Sequence, residues 1–135
     1  MNIFTTSPSI ALELCRLINP SINLCGGNLN RANLAVSGQS TLDDIEKINI
    51  DVAFLGASGC VADVGFVCGK ESEMLVKQKI LKKARKKIVL CDSSKIGRLL
   101  PFTFASFKDI DILVTDKSLP ENIINIAQST NTEII

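Results

Sequence analysis

The sequence contains no histidine, no tryptophan and no tyrosine. The absence of histidine excludes Ser-His-Asp and Cys-His nucleophile pairs, and we expect no metal site, since no imidazole ligand exists. An enzyme built on this chain would use carboxylates, lysines or thiols as its acids and bases. Because the chain shows neither a signal-peptide pattern nor an apolar run of about 18 residues, we expect a cytoplasmic protein without membrane contact.

The chain also has no excess of positive or negative charge, and it has no C-x-x-C motif. Fifteen basic and fourteen acidic residues leave a net charge of +1, too balanced for a dedicated nucleic-acid or membrane-surface module. Five cysteines without a C-x-x-C pair fit neither a disulfide framework nor a zinc ribbon. We predict that Cys15, Cys25 and Cys91 are buried as small apolar residues, and that Cys60 and Cys68 lie in a loop.

Length and patterning predict one α/β domain over residues 1–135. Hydrophobic residues make up 46% of the 135 positions, enough for one core, and we find no repeat or linker. Short apolar runs predict strands at residues 2–6, 22–25, 51–55, 88–91, 110–114 and 132–135. Helix-like segments lie at residues 7–18, 41–48 and 71–87, and a last helix starts at Pro120. Apolar strands that alternate with helices predict a mostly parallel sheet with helices on both faces.

Small and polar residues follow these strands. In parallel sheets, ligands bind at the carboxyl ends of the strands. The segments at those ends are rich in glycine and hydroxyl groups and carry a few charges: residues 5–7, 26–27, 56–59, 92–95 and 115–117. Backbone N–H groups, hydroxyl donors and a lysine recognise phosphates and polyols. The same residue types also fill ordinary strand-to-helix turns, so both interpretations stay open.

Lys77 stands out within the predicted helix 71–87. At about 100° per residue, most lysines of this helix fall on a solvated face opposite its apolar positions, which does not indicate a nucleic-acid surface. Lys77 falls inside the apolar arc, where an ammonium group is costly unless it is paired or lies at a ligand pocket. Its long side chain could also reach solvent from an apolar face.

Taken in order, these segments resemble the carboxyl-terminal sensor domain of the DeoR family of bacterial sugar-metabolism repressors. The matching stretches are residues 4–7, 26–27 with Gly38, 51–59, Gly65, 76–77, 88–97 and 111–116. Each motif is short, but their order and spacing extend over nearly the whole chain. That family is similar in fold to ribose-5-phosphate isomerases and CoA transferases. Its members bind phosphorylated sugars or related metabolites, and this binding alters operator affinity.

The resemblance implies a ligand site, with no cofactor and no catalytic residue. Thr6 replaces the asparagine of the family's Thr-Asn-Ser segment, and Lys77 matches a family lysine. Ser58 and Gly59 match a pocket-lining loop. The ligand-binding residues implied are Thr5, Thr6, Ser7, Gly26, Gly27, Gly38, Ser58, Gly59, Lys77, Asp92 and Lys95.

The chain departs from the family pattern at its start. Family members are nearly twice as long and open with a winged helix-turn-helix, followed by a strand and a Gly-Thr-Thr phosphate loop. We therefore expect an N-terminally truncated sensor domain that contacts DNA only through a helix-turn-helix absent from this chain. A sheet without its first strand exposes an edge, so we also expect a homo-oligomer.

Three functional hypotheses follow. The first is an effector-binding sensor domain that binds a phosphorylated sugar without turnover. The alternative is a sugar-phosphate isomerase-like enzyme with Glu73 or Asp92 as base and Lys95 holding charge. Residues 58–61 stand where such an isomerase carries a paired-aspartate loop, which disfavours the enzyme. The third is a structural remnant without a ligand, and the retained segments 56–59 and 92–95 disfavour it.

Overall fold

The computed structural model describes all residues, Met1–Ile135, and divides them into two compact units. The first unit covers Met1–Ile48 and the second covers Asn49–Ile135. Each unit has its own sheets and its own buried residues. That the chain folds as a single domain stays a prediction.

The first unit combines a parallel strand pair with a hairpin. Its elements are β1 (Asn2–Thr5), α1 (Pro8–Leu14), β2 (Ser21–Leu24), β3 (Asn28–Asn30), β4 (Ala35–Ser37) and α2 (Gln39–Glu46). Strands β1 and β2 pair in parallel, whereas β3 and β4 pair antiparallel. The Ser7 hydroxyl accepts a hydrogen bond from the Ile10 N–H at 3.4 Å, and Pro8 opens the helix, as the sequence predicts for α1. The helix ends before residue 18 because Arg16 and Leu17 form tighter i to i−3 bonds.

The second unit contains a four-stranded parallel sheet and a smaller antiparallel one. Its helices and strands are β5 (Ile50–Gly56), β6 (Gly59–Val61), β7 (Gly65–Cys68), α3 (Glu71–Lys83), β8 (Ala84–Leu90), β9 (Phe102–Ala105), β10 (Ile112–Val114), α4 (Glu121–Ser129) and β11 (Glu133–Ile134). The parallel sheet has the order β11-β10-β8-β5, and the antiparallel sheet has the order β6-β7-β9. The predicted α/β class with a parallel sheet is confirmed.

The core of the second unit lies on one face of the parallel sheet. The strand register places Leu55, Val89 and Leu113 opposite one another, and all three are buried. Leu81 of α3 and Ile123 of α4 belong to the same buried cluster. The crossovers all run in the same direction across the sheet, so a right-handed path keeps both helices on this face.

The other face of the parallel sheet is open. Val52, Phe54 and Leu90 alternate with the buried residues, and the exposed fraction of Phe54 is 65%. Within this unit the helices therefore cover one face of the sheet rather than both. The resemblance to the ribose-5-phosphate isomerase fold stays a prediction.

Helix α3 is shorter than the sequence indicates. It ends at Lys83, because Ala84 is extended and pairs with Ile50 at the start of β5. Residues 85–87 therefore lie in β8 and do not belong to a helical lysine face. With 13 residues α3 is the longest helix, and no helix of the structure is long and apolar enough to cross a membrane.

The burial of the five free cysteines agrees only partly with the prediction. Cys25 and Cys91 are buried as predicted, but Cys15 is exposed. Cys60 and Cys68 lie in β6 and β7 and are fully buried, so their assignment to a loop is wrong. Burial raises the pKa of Cys60 to about 12 and that of Cys91 to about 11, which keeps both thiols neutral at physiological pH.

Candidate functional site

Three loops meet at one edge of the second unit. They follow the carboxyl ends of the neighbouring strands β5, β8 and β10, at residues 57–58, 91–98 and 115–117. Backbone hydrogen bonds continue across these ends, from Ala57 N–H to the Leu90 carbonyl at 3.3 Å and from Cys91 N–H to the Val114 carbonyl at 3.0 Å. The sequence-predicted segments 56–59, 92–95 and 115–117 are therefore brought together. This edge is where open parallel sheets bind ligands.

Two carboxylates occupy the start of the loop at residues 92–95. Asp92 accepts hydrogen bonds from the Ser94 N–H at 2.9 Å and from the Ser94 hydroxyl, and these bonds lower its pKa. Asp116 accepts from the Ser93 N–H at 2.7 Å, which is the main reason that its pKa is lowered. Both carboxyl groups are ionised at neutral pH. The protein's own carboxylates therefore hold the N–H groups of Ser93 and Ser94.

A type II β-turn follows this loop. Ile96 has φ −68° and ψ 130°, Gly97 has φ 80°, and the Arg98 N–H donates to the Lys95 carbonyl at 3.2 Å. Glycine suits the third position because the turn requires a positive φ there. The Gly97 N–H donates to the Cys60 carbonyl at 2.7 Å, so the turn is fixed to β6.

Gly59 allows this close approach. A Cβ atom at Gly59 would lie 2.1 Å from the Arg98 carbonyl oxygen, far inside van der Waals contact. The preceding residue, Ser58, donates its N–H to the Val67 carbonyl at 3.1 Å. The structure thus places Ser58 and Gly59 beside the loop that carries Asp92 and Lys95.

Lys77 is largely buried, with 14% of its side chain exposed, and its ammonium group has several partners. Its ammonium group lies 2.6 Å from Glu73 Oε1 and donates to the Gly56 carbonyl at 2.7 Å. It also lies 4.7 Å from the centre of the Phe104 ring, a cation–π distance. Of the interpretations that the sequence leaves open for Lys77, the structure shows pairing. Its observed role is to tie α3 to the end of β5, and ligand contact by Lys77 stays a prediction.

In the first unit, Thr5, Thr6 and Ser7 form the turn between β1 and α1. The Thr5 hydroxyl accepts from the Ser7 N–H at 3.1 Å, and the Thr6 carbonyl accepts from the Val36 N–H at 2.7 Å. The Ser7 hydroxyl caps α1. Each hydroxyl that accepts a bond keeps its own proton to donate to a ligand.

The predicted glycines of the first unit lie against α2. Gly26 donates its N–H to Asp44 Oδ2 at 2.9 Å and accepts from the Thr41 hydroxyl at 2.6 Å. Gly27 has φ 142°, and a Cβ there would lie 2.1 Å from Thr41 Oγ1. Gly38, with φ 106°, is the N-cap of α2. Tight packing and backbone geometry explain glycine at Gly27 and Gly38, and ligand contact by all three stays a prediction.

Sequence reasoning missed two residues of the strand-end loops. Asp116 lies in the predicted segment 115–117, but the sequence does not indicate its role, because its bond to Ser93 across 23 residues leaves no local pattern. Arg98 stands three residues after Lys95, with Gly97 between them, and that spacing is a turn signal. No group of three or more Cys, Asp or Glu side chains is placed to hold a metal ion.

Comparison with known proteins identifies the family of the chain. The model of the DeoR C-terminal sensor domain matches residues 1–117. The chain is 31% identical over 131 residues to the HTH-type transcriptional regulator GlpR of Haloferax volcanii, covering 97% of this chain and 51% of the relative. It is 26% identical over 133 residues to the HTH-type transcriptional repressor GlcR of Bacillus subtilis, covering 98% and 51%.

A third relative is the glycerol-3-phosphate regulon repressor of Escherichia coli, 27% identical over 126 residues, with 93% of this chain and 50% of the relative covered. The chain spans about half the length of the curated relatives it matches. The family match covers most of the chain, including all three strand-end loops. The chain therefore belongs to the DeoR family of transcriptional regulators and corresponds to its C-terminal sensor domain.

Proposed function

We propose that this sensor domain binds a phosphorylated sugar or related metabolite at the carboxyl ends of its strands, without turnover. The observation that carries the proposal is the meeting of Ser58, Asp92 and Lys95 at one edge of the parallel sheet. The Lys95 ammonium group suits a phosphate as a point charge. The ionised Asp92 can only accept hydrogen bonds, so it suits the hydroxyl groups of a sugar.

For each unit taken by itself, we propose as ligand-binding the residues that the family resemblance implies. In the second unit these include Gly59 and Lys77, which shape and fix the loops at the strand ends. In the first unit they are Thr5, Thr6, Ser7, Gly26, Gly27 and Gly38. The hydroxyl protons at the end of β1 are the ligand donors that we propose within the first unit.

A non-catalytic role fits Glu73. Glu73, the candidate base of an isomerase, lies 2.6 Å from the Lys77 ammonium group, and only 18% of its side chain is exposed. A base must reach a substrate proton within hydrogen-bond distance. Glu73 is held on the helix side of β5 by this ion pair, which supports binding rather than turnover.

The relatives support a regulatory role for the whole protein. One is a transcriptional repressor, and another represses a glycerol-3-phosphate regulon. We propose that this domain acts as the effector sensor of such a repressor, in the cytoplasm. DNA contact would come from a helix-turn-helix outside residues 1–135, and the open edge of β5 supports a homo-oligomer.

A thermal-shift series tests the proposed function. The compounds are glycerol 3-phosphate, glucose 6-phosphate and fructose 1-phosphate, each paired with its unphosphorylated form. At about 100 times its dissociation constant, a ligand adds roughly 2.7 kcal/mol to the free energy of unfolding, which raises the melting temperature by several degrees. We expect such a shift for a phosphorylated compound only, and its loss in Lys95→Ala.

Lys82→Ala is the matched control, because Lys82 is an exposed lysine on α3, away from the strand-end loops. It should retain the wild-type shift. Equal shifts for phosphorylated and unphosphorylated forms, or equal shifts in wild type and Lys95→Ala, would contradict the proposal.

A further inference from the structure

We infer that Arg98 and Lys95 together form the anion seat of this domain, one on each side of the type II turn. The ligand group is a phosphate monoester, or a free phosphate of the same chemistry. This inference rests on the proposed function and names a residue that the family resemblance did not single out. The anionic end of the ligand would then lie at the turn, and its hydroxyl groups would lie near Asp92.

The turn fixes the two cations close together. Lys95 and Arg98 are its first and fourth residues, so their Cα atoms lie within about 7 Å. The hydrogen bond from the Arg98 N–H to the Lys95 carbonyl and the positive φ of Gly97 define this geometry. The hydrogen bond from the Gly97 N–H to the Cys60 carbonyl holds the turn against β6. The two positive side chains therefore start from a fixed backbone.

The charges around the turn require a second cation. Asp92 and Asp116 are both ionised and hold the N–H groups of Ser94 and Ser93. Asp116 has Lys117 close enough to lower its pKa, but without Arg98 the turn itself would bring only the single positive charge of Lys95 to a phosphate dianion. Arg98 adds a second charge and a planar pair of donors that matches two phosphate oxygens.

The Arg98 side chain is free to take this role. Arg98 is exposed, and its guanidinium group forms no ion pair, unlike the arginines Arg16 and Arg85. Adjacent positive charges repel each other, and a bound anion between them removes that repulsion. The structural contacts of Arg98 are made by its backbone N–H and carbonyl, and these groups remain when the side chain is substituted.

The test is a titration of the full chain with inorganic phosphate, and separately with sulfate, followed by ¹⁵N amide shifts of Gly59 and Gly97. We expect saturable shifts in the wild type. In Arg98→Ala the apparent affinity should fall by about tenfold or more, since a charge-assisted bidentate contact is lost. Arg98→Lys should recover only part of it, because a lysine keeps the charge without the planar fork.

Arg31→Ala is the control, since Arg31 is an exposed arginine of the first unit, and it should titrate like the wild type. Unfolding midpoints of the variants show whether each remains folded. Amide shifts that never saturate in the wild type, or equal affinities in wild type and Arg98→Ala, would overturn the inference.

The two proposals fail in different ways. A phosphorylated compound that stabilises the wild type and Arg98→Ala equally overturns the role of Arg98 and leaves the sensor function intact. Saturable phosphate binding that depends on Arg98, with no stabilisation by any phosphorylated sugar, supports the anion seat and contradicts the sugar-phosphate effector.

Discussion

Replacing Lys77 by alanine is expected to lower the free energy of unfolding by about 3 kcal/mol. The substitution leaves the Glu73 carboxylate, which is 18% exposed, without its ammonium partner, and leaves the Gly56 carbonyl without a donor. It also removes the cation from the Phe104 ring. Urea unfolding followed by circular dichroism measures the loss.

Two further variants separate the ion pair from general effects of losing a lysine. Lys82→Ala, an exposed position on the same helix, should change the free energy of unfolding by less than about 0.5 kcal/mol. The double variant Lys77→Met with Glu73→Gln should recover much of the loss, because no charge is then left unpaired. If Lys77→Ala were as stable as Lys82→Ala, the ion pair would have no role in holding α3 to β5.

The second large effect is expected for Gly59→Ala. A Cβ atom at this position would lie 2.1 Å from the Arg98 carbonyl oxygen and 2.8 Å from a methyl group of Val67. The nearest atom belongs to the backbone, so the turn at residues 95–98 must move away from β6. We expect a loss of about 3 kcal/mol in the free energy of unfolding, at the upper end of the usual overpacking cost.

Gly69→Ala is the matched control for Gly59→Ala. No atom lies within 4 Å of a Cβ built at Gly69, and its φ is not in the left-handed region. Its stability should stay within about 0.5 kcal/mol of the wild type. In Gly59→Ala we also expect weaker phosphate binding, since the displaced turn carries both Lys95 and Arg98. Wild-type stability and wild-type phosphate binding in Gly59→Ala together would contradict the described packing of the turn.

The order of several strands and helices along the chain could be predicted from the sequence. Strand β5 follows from a continuous apolar run, and α1 follows from Ser7 and Pro8 at its start. The position of Lys77 on the apolar side of α3 follows from helical geometry alone, and the structure shows the partners that such a position requires. These features depend on local spacing, which a single sequence displays.

The antiparallel sheet β6-β7-β9 could not be predicted in the same way. Its strands are short, and β7 pairs with β9 across more than 30 residues, so no local periodicity marks the sheet. The burial of Cys60 and Cys68 depends on that pairing. The charged start of β8 also differs from the sequence pattern, because Arg85 and Lys86 continue a helical pattern but lie in a strand that pairs with β5.

The candidate site was predictable as a set of loops but not as a set of contacts. Segments 56–59 and 92–95 follow predicted strands, and parallel strand order brings their ends together. The occupation of the Ser93 N–H by Asp116 is a long-range bond that no motif records. It changes the chemistry of the loop, because the backbone N–H groups expected to bind phosphate already have acceptors. In our proposal, the charges of Lys95 and Arg98 are then the main attraction for an anion.

The most direct test of the sensor account is a map of where a phosphorylated compound binds. The ¹⁵N amide spectrum of the full chain would be recorded with glycerol 3-phosphate, glucose 6-phosphate and fructose 1-phosphate in turn. For at least one of these compounds we expect saturable shifts. In the second unit they should concentrate at residues 57–59, 92–98 and 115–117. Saturable shifts at the amino ends of the strands, near Ile50 and Ala84, would contradict the proposed sensor function. The absence of saturable shifts with all three compounds would also contradict it.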